Sequence, residues 1–515
     1  MKSALTPLEF LSRNAAAYRD YTAEVDGDRR FTYSEMQQRV HCFGAALQQA
    51  GVAPGDRVAV LARNGLLPLE AHFAIPLIGG VLVTLNIRLQ SGELVTILNH
   101  SGARTLLGDA DLLAPVLAVR AQIPQVERFV SDYEAFLCEG SKPVAPKAPD
   151  EDDVISINYT SGTTGVPKGV MYTHRGAYLN AIGEVVELGM SYRSVYLWTL
   201  PMFHCNGWCF PWAVTALGAR HICLPEVNAE RAVKLIQQER VTHACGAPVV
   251  VRTLTEYCSS RGIRFAPELK MAIAAAPPPP AVIRAAEAVG IQLTHVYGLT
   301  ETYGPHSVCA WHCDWDEAPL EERALLKARQ GVPYVVFGTD MRVVDERMND
   351  VPADAQTVGE VVMRGNNIML GYYRDPEATA NAFRGGWFHS GDLAVMHPDG
   401  YIELRDRAKD IIISGGENIS SLEVERVLYD HPAVMEAAIV AVPDDKWGEV
   451  PHAYVLLRQD AAATEQELIE FCRARLAHFK CPKAIHFGPL PKTSTGKIRK
   501  NVLRQQSRAS VQGVS

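Results

Sequence analysis

Several features that would narrow a function at once are missing from this sequence. Its eleven cysteines form no Cys-x-x-Cys pair, which points to reduced thiols packed as small hydrophobes. The most apolar run, residues 74–85, is interrupted by Pro76, Gly79 and Gly80. A membrane span needs about 20 apolar residues, so this stretch reads as a buried passage from helix to strand. The N-terminal Met1-Lys-Ser-Ala-Leu-Thr-Pro7 has no apolar core of signal-peptide length. Neither export nor anchoring is expected, and a cytoplasmic protein is the expectation. Net charge is −8 with 21% charged residues, and no long basic face appears, so nucleic acid is not an expected partner. The one basic cluster is Lys497, Arg499, Lys500, Arg504 and Arg508. It reads as a solvated tail everywhere except at Lys497. There is no internal repeat.

What is present supports large cores. The chain has 515 residues, 47% of them hydrophobic, enough for two or three domains at ~150 residues each. Ser34 with Gln37 reads as a capping box opening a helix that closes at Gly51. The turn Pro54-Gly55-Asp56 feeds an apolar strand, Arg57 to Ala62, and a further strand covers Val81 to Leu85. This βα rhythm predicts doubly wound α/β layers. Residues 139–153, rich in proline and charge, read as an exposed connector. The run Pro277 to Pro280 suits neither helix interior nor central strand. A boundary falls at Asp406–Asp410, between a closing strand at Tyr401–Leu404 and a unit opening with Ile411-Ile412-Ile413. That divides the chain into 1–406 and 407–515, the second part a small α+β domain with its own capping box, Thr464 with Glu467. Residues beyond about Arg508 are expected to be disordered.

The densest chemical signal is Tyr159-Thr-Ser-Gly-Thr-Thr-Gly-Val-Pro-Lys-Gly169. Three glycines allow close backbone approach to an anion, while four serine or threonine hydroxyls and a lysine supply donors and charge. This is a polyphosphate cradle, but its spacing is not that of a Walker A loop. Further motifs follow in order: Pro201-Met-Phe-His-Cys-Asn-Gly207, Tyr297-Gly-Leu-Thr-Glu301, Trp387-Phe-His-Ser-Gly-Asp392, Asp406-Arg-Ala-Lys-Asp-Ile411, Gly415-Gly-Glu-Asn418 and Pro491-Lys-Thr-Ser-Thr-Gly-Lys497. Together they resemble the adenylate-forming superfamily of acyl-CoA synthetases, peptide-synthetase adenylation domains and firefly luciferase.

The resemblance implies a large N-terminal adenylation domain of doubly wound α/β layers with a β-barrel-like part, and a small mobile C-terminal domain. It implies ATP, Mg²⁺ and coenzyme A as reactants. Thr160, Ser161, Gly162, Thr163, Thr164, Gly165 and Lys168 would hold the β- and γ-phosphates. Thr300 would donate to the α-phosphate and Glu301 would ligate Mg²⁺. Ala275, Ala276, Pro277 and Tyr297 would enclose the adenine, Gly298 would bind the cofactor and line the acyl pocket, and Asp392 with Arg407 would hold the ribose. Lys497 would be the key catalytic side chain, drawing together two anions, the substrate carboxylate and the α-phosphate. Lys409 matches the hinge position, and Gly415, Gly416 and Glu417 would face the thiol tunnel after rotation.

The acyl pocket implied by the family includes His204, Asn206, Trp208, Gly246 and Tyr303, with His204 as a gate beside the carboxylate. The bulk of Trp208 and Tyr303 suggests small or flat acids. Phe203 to Trp208, Glu301 to Pro305, Val308 to Trp311 and Ala328 to Gly331 are similar to the plant peroxisomal acyl-activating enzymes and their bacterial relatives. That branch handles acetate-like, butyrate-like, benzoate-like and medium-chain acids. A carboxylate–CoA ligase, monomer or homodimer, is therefore the expected function. The alternative is an acyl-AMP ligase loading a phosphopantetheinyl carrier protein. A luciferase-type oxygenase and an inactive nucleotide-binding protein are more distant readings. The cluster His306, Cys309, His312 and Cys313 could pass for zinc ligands, but its spacing fits no common zinc pattern, and a pocket-shaping loop is the expectation there.

Overall fold

The computed structural model describes residues 3–512, apart from 141–143, 145–146, 148–149, 161–166, 275–277, 279, 338–339, 408–409, 415–416, 445, 460 and 494–496. Two large sheets organise the N-terminal part. The nine-stranded sheet runs, edge to edge, Val332–Pro333, Gly304–Val308, Ile291–Leu299, Leu269–Ile273, His243–Gly246, Val195–Leu197, Arg220–Ile222, Thr22–Asp26 and Arg29–Thr32. Its centre is parallel and its two edges are antiparallel. The seven-stranded sheet runs Gly371–Tyr372, Lys168–Thr173, Val154–Thr160, Val81–Thr84, Arg57–Leu61, Thr105–Gly108 and Arg128–Val130. Parallel strands need crossovers that bury both sheet faces, which accounts for the apolar runs at Val58–Leu61 and Val81–Val83.

Helix Leu66–Leu77 is buried at every position, including Glu70 and His72. A helix apolar on all sides belongs inside a protein. Its Leu69 and Phe73 join a core that also holds Trp198, Phe210 and Trp212 from the nine-stranded half and Leu82 and Ile155 from the seven-stranded half. A four-stranded antiparallel sheet follows, Asp340–Val344, Val358–Arg364, Phe388–Met396 and Ile402–Arg407. The last unit is an α+β layer. Its strands Glu417–Ile419, Ile412–Ser414, Gly448–Leu457 and Val434–Asp444 form one sheet with Ala484–Phe487, backed by helices Ser421–Tyr429 and Glu465–Arg473.

Three expectations need correction. The first long helix, Tyr33–Gln49, is capped by Thr32 with Glu35, not by Ser34 with Gln37. Thr32 ends the preceding strand and keeps extended backbone, as an N-cap must, whereas Ser34 is already inside the helix. Helix Lys500–Gln512 runs on past Arg508, anchored by Leu503 in a small apolar cluster, and residues 513–515 lie outside the described residues. The basic cluster is not a solvated tail. Lys500 Nζ pairs with Glu425 Oε1 at 2.7 Å, and Arg504 pairs with Asp410. The Thr464–Glu467 capping box is present as read. Among the described residues, no helix is long and apolar enough to cross a membrane.

Candidate active site

The phosphate loop starts and ends on one hairpin. Thr160 is the last residue of its strand and pairs with Lys168, the first residue of the next. The ends of the loop are thus held side by side at the C-terminal edge of the seven-stranded sheet. Ser161, Gly162, Thr163, Thr164 and Gly165 lie outside the described residues, as do Ala275, Ala276, Pro277, Lys409, Gly415 and Gly416.

Thr300 and Glu301 sit on a short helical turn between strands Ile291–Leu299 and Gly304–Val308. Glycine at 298 is dictated by space, since a Cβ there would stand 1.9 Å from the Gly304 carbonyl oxygen. The turn is tied down from outside. The Tyr172 hydroxyl donates to the Thr300 carbonyl at 2.6 Å, and the Met369 amide to the Glu301 carbonyl at 2.8 Å. One residue here escaped the sequence reading. Tyr372 donates its hydroxyl to Glu301 Oε1 at 2.9 Å, and its ring lies 4.7 Å from Lys168 Nζ. It joins the cation at the end of the phosphate loop to the acid expected to hold the metal. Only a Gly-Tyr pair beside a proline-started helix marks it in sequence, and that signal is too common to single it out.

Asp392 and Arg407 are register partners on neighbouring antiparallel strands. Arg407 Nε lies 2.9 Å from Asp392 Oδ1, and the Tyr297 hydroxyl donates to Asp392 Oδ2 at 2.7 Å. Burial and the adjacent Asp392 charge push the Tyr297 phenol well up, so it remains a donor. Each carboxylate oxygen keeps a second lone pair, which suits the two hydroxyls of a ribose.

The segment after His204 is strained. Cys205, Asn206, Gly207, Trp208 and Cys209 have φ of 42°, 44°, 56°, 50° and 62°. Left-handed backbone costs ~1–2 kcal/mol per non-glycine residue, so the turn must be held by its surroundings. A buried chain of hydrogen bonds does this at Asn206. Ser156 Oγ donates to Asn206 Oδ1 at 3.3 Å, and Asn206 Nδ2 faces His72 Nε2 at 3.3 Å. His72 Nδ1 donates in turn to the Pro68 carbonyl at 2.6 Å, which leaves Nε2 as the acceptor. On the other side, the Tyr303 hydroxyl meets Ser156 Oγ at 2.9 Å, and its ring stacks on Tyr172 at 3.6 Å. Tyr303 and Asn206 are each 0% exposed. They are packed as one buried layer, with Trp208 against Gly304 beside them. Gly246 ends the adjacent strand His243–Gly246.

A cleft of ≈ 40 Å³ is lined by Thr84, Asn158, Tyr159, His204, Cys205 and Thr300, among others, while Asn206, Trp208 and Tyr303 do not line it. That is room for about three waters. Burial, with the Lys497 charge added, lowers the His204 pKa to about 4. His204 is therefore neutral at pH 7, and Lys497 lies near enough for its charge to be felt there. Lys497 closes its own loop, donating from its amide to Thr493 Oγ1 at 3.0 Å. Glu417 lies exposed on the small domain's strand Glu417–Ile419.

The histidine and cysteine cluster at 306–313 does not converge. His306 Nδ1 faces Asn367, Cys309 Sγ donates to the Leu326 carbonyl, and His312 Nε2 faces the Tyr401 hydroxyl.

Residues 11–373 match the AMP-binding enzyme family, and residues 423–497 match the AMP-binding enzyme C-terminal domain. The chain belongs to the AMP-binding enzymes. Similar proteins include 4-hydroxybutyrate–CoA ligase 2 of Metallosphaera sedula, 47% identical, with 98% of this chain and 95% of the relative covered. The peroxisomal acetate/butyrate–CoA ligase AAE7 of Arabidopsis thaliana is 43% identical, with 98% and 95% covered. Among solved structures, the anthranilate–CoA ligase AuaEII bound to anthranoyl-AMP superposes with a TM-score of 0.88 at 25% identity, covering 99% of both chains. This AMP-binding enzyme therefore places its Thr300–Glu301 turn, Asp392–Arg407 pair and Lys497 loop on a fold shared with acyl-adenylate-forming ligases.

Proposed function

We infer that the acid activated by this ATP-dependent carboxylate–CoA ligase is short, of acetate to hydroxybutyrate size. The observation that carries this is a cleft only ≈ 40 Å³ in volume beside His204, Cys205 and Thr300. The names of the Metallosphaera and Arabidopsis relatives agree with it.

The reaction joins two anions. A carboxylate oxygen attacks the α-phosphorus of ATP, and pyrophosphate leaves. The CoA thiol then attacks the acyl carbon, and AMP leaves. Two negative charges 4 Å apart repel by ~4 kcal/mol at an effective dielectric of 20, so the site must supply aimed positive charge and donors. We assign the ammonium of Lys497 to the space between carboxylate and α-phosphate, and the Thr300 hydroxyl to the α-phosphate. Lys168 and the hydroxyl-rich loop hold the outer phosphates. Asp392, held by Tyr297 and Arg407, takes the ribose hydroxyls. Neutral His204 covers the carboxylate without competing for its charge. Glu301 fits a divalent cation: its carboxylate is linked through Tyr372 to Lys168, at the end of the phosphate loop, and keeps acceptor sites beyond the single bond from Tyr372. A bound Mg²⁺ would neutralise phosphate charge there. We also propose that the chain beyond Lys409 turns about that residue between the two steps, bringing Gly415, Gly416 and Glu417 to the thiol.

The test is CoA-dependent AMP formation, with thioester detected by mass, across acetate, propionate, butyrate, 4-hydroxybutyrate, hexanoate, decanoate and benzoate. Thioester confined to the short acids is expected. A preference for decanoate or benzoate would refute the short-acid reading. Acyl-AMP without thioester would move the acceptor to a carrier protein.

A further inference from the structure

Helix Pro248–Ser260 begins directly after the turn at Cys245–Ala247 and belongs to the N-terminal part. From its second turn, Arg252 reaches across to the small domain. Its Nη1 donates to the Met435 carbonyl at 3.1 Å and its Nη2 to Glu436 Oε1 at 3.1 Å. The same Glu436 oxygen takes Lys492 Nζ at 2.6 Å. Glu436 stands in the small domain's longest strand, Val434–Asp444, and its side chain is only 7% exposed. Lys492 opens the loop that carries Lys497. The ends of that loop are paired: Thr493 donates its amide to the Lys497 carbonyl at 2.6 Å, and Lys492 bridges to Ile498.

The three charges differ in one respect. Glu436 and Lys492 lie in the same domain and stay together whatever that domain does. Arg252 can reach them only in the arrangement seen here, with the Lys497 charge felt at His204. A buried carboxylate keeps its charge by collecting partners, so the guanidinium favours this arrangement over any other.

We propose that Arg252 is a positioning residue for Lys497, acting through Glu436 and Lys492 to hold the lysine loop in the adenylating arrangement. This rests on the two-step ligase reading above. The carboxylate is the shared joint. The large domain grips it from one side, and the base of the catalytic loop is fastened to the other.

The experiment separates the two half-reactions. Acid-dependent ATP–pyrophosphate exchange reads adenylation, and thioester formation from CoA and supplied acyl-AMP reads the second step. For Arg252→Ala, exchange should fall on the order of 10- to 100-fold, the range of one lost charge-assisted contact. Thioester formation from acyl-AMP should be unchanged or faster, and Arg252→Lys should restore most of the exchange. Glu436→Gln should reproduce the split, which guards against a single badly folded variant. Equal losses in both steps, or no loss in exchange, would overturn the proposal. Wild-type enzyme run alongside keeps the two ideas apart, because absence of exchange with every acid would refute the ligase reading itself.

Discussion

Replacing Tyr372 by phenylalanine removes one oxygen and leaves the ring. The ring 4.7 Å from Lys168 Nζ is retained, so the cation–π contact survives. What is lost is the 2.9 Å hydrogen bond to Glu301 Oε1. A hydrogen bond to a charged group is worth ~1.5–3 kcal/mol. Tyr372 and Glu301 are both half-buried, and water can partly replace the hydroxyl, so the lower end applies. A loss of ~1.5 kcal/mol corresponds to about a tenfold fall in kcat/KM for ATP. Burial and the Glu301 charge push the phenol upward from its ordinary value. It is a donor at every working pH, and the defect should not vary between pH 6 and 9. Because the hydroxyl orients the acid expected to hold Mg²⁺, the Mg²⁺ concentration giving half-maximal pyrophosphate exchange should rise. Tyr372→Ala should be worse, having lost the ring as well. The decisive assay is exchange measured across Mg²⁺ and pH for both variants. An unchanged Mg²⁺ requirement in Tyr372→Phe would refute the orienting role, whatever happens to the overall rate.

Three further outcomes are expected. Lys497→Ala should lose adenylation by orders of magnitude yet still make thioester from supplied acyl-AMP; equal loss of both steps would contradict its assigned place. Tyr303→Ala should cost ~3–5 kcal/mol of stability, seen as a lower melting temperature. An unchanged melting temperature would contradict its buried place stacked on Tyr172. Stability should also fall steeply below pH 6.5. His72, His174, His204, His243, His295 and His306 are lowered to about 4, and His221 to about 3, all chiefly by burial. Their folded values lie below their unfolded ones, so the unfolded chain takes up more protons. The stability they contribute is complete above pH 6.5 and is lost as pH falls toward 4. A melting temperature flat from pH 7 to 5 would contradict this.

Much of the architecture could be read from the residues because it rests on local rules. Gly51 after a helix, Pro-Gly-Asp before a strand and Thr464 with Glu467 each act within a few positions. The motif strings name residues that the fold then gathers from distant strands, as with Asp392 and Arg407, opposed across one ladder. What resisted reading is long-range. Tyr372 meets Glu301 across a separation of 71 positions, and no spacing signals that contact. Lys500 and Arg504 look like tail charges until helix Ser421–Tyr429 and the segment at Asp410 are placed against them. The cap at Thr32 was missed for a subtler reason. Two hydroxyl residues compete two positions apart, and only the end of the preceding strand decides between them.

The pairing of Asp392 with Arg407 carries a consequence for the intermediate. Arg407 is the last residue of its strand, and its partner belongs to the larger body, so this rung stands just ahead of the proposed pivot. Motion beyond it need not loosen the sugar. The mixed anhydride would stay moored by its ribose while its other end exchanges one set of neighbours for another. Waste by hydrolysis is then set by how fast the moored nucleotide slips free, not by how often the smaller body swings.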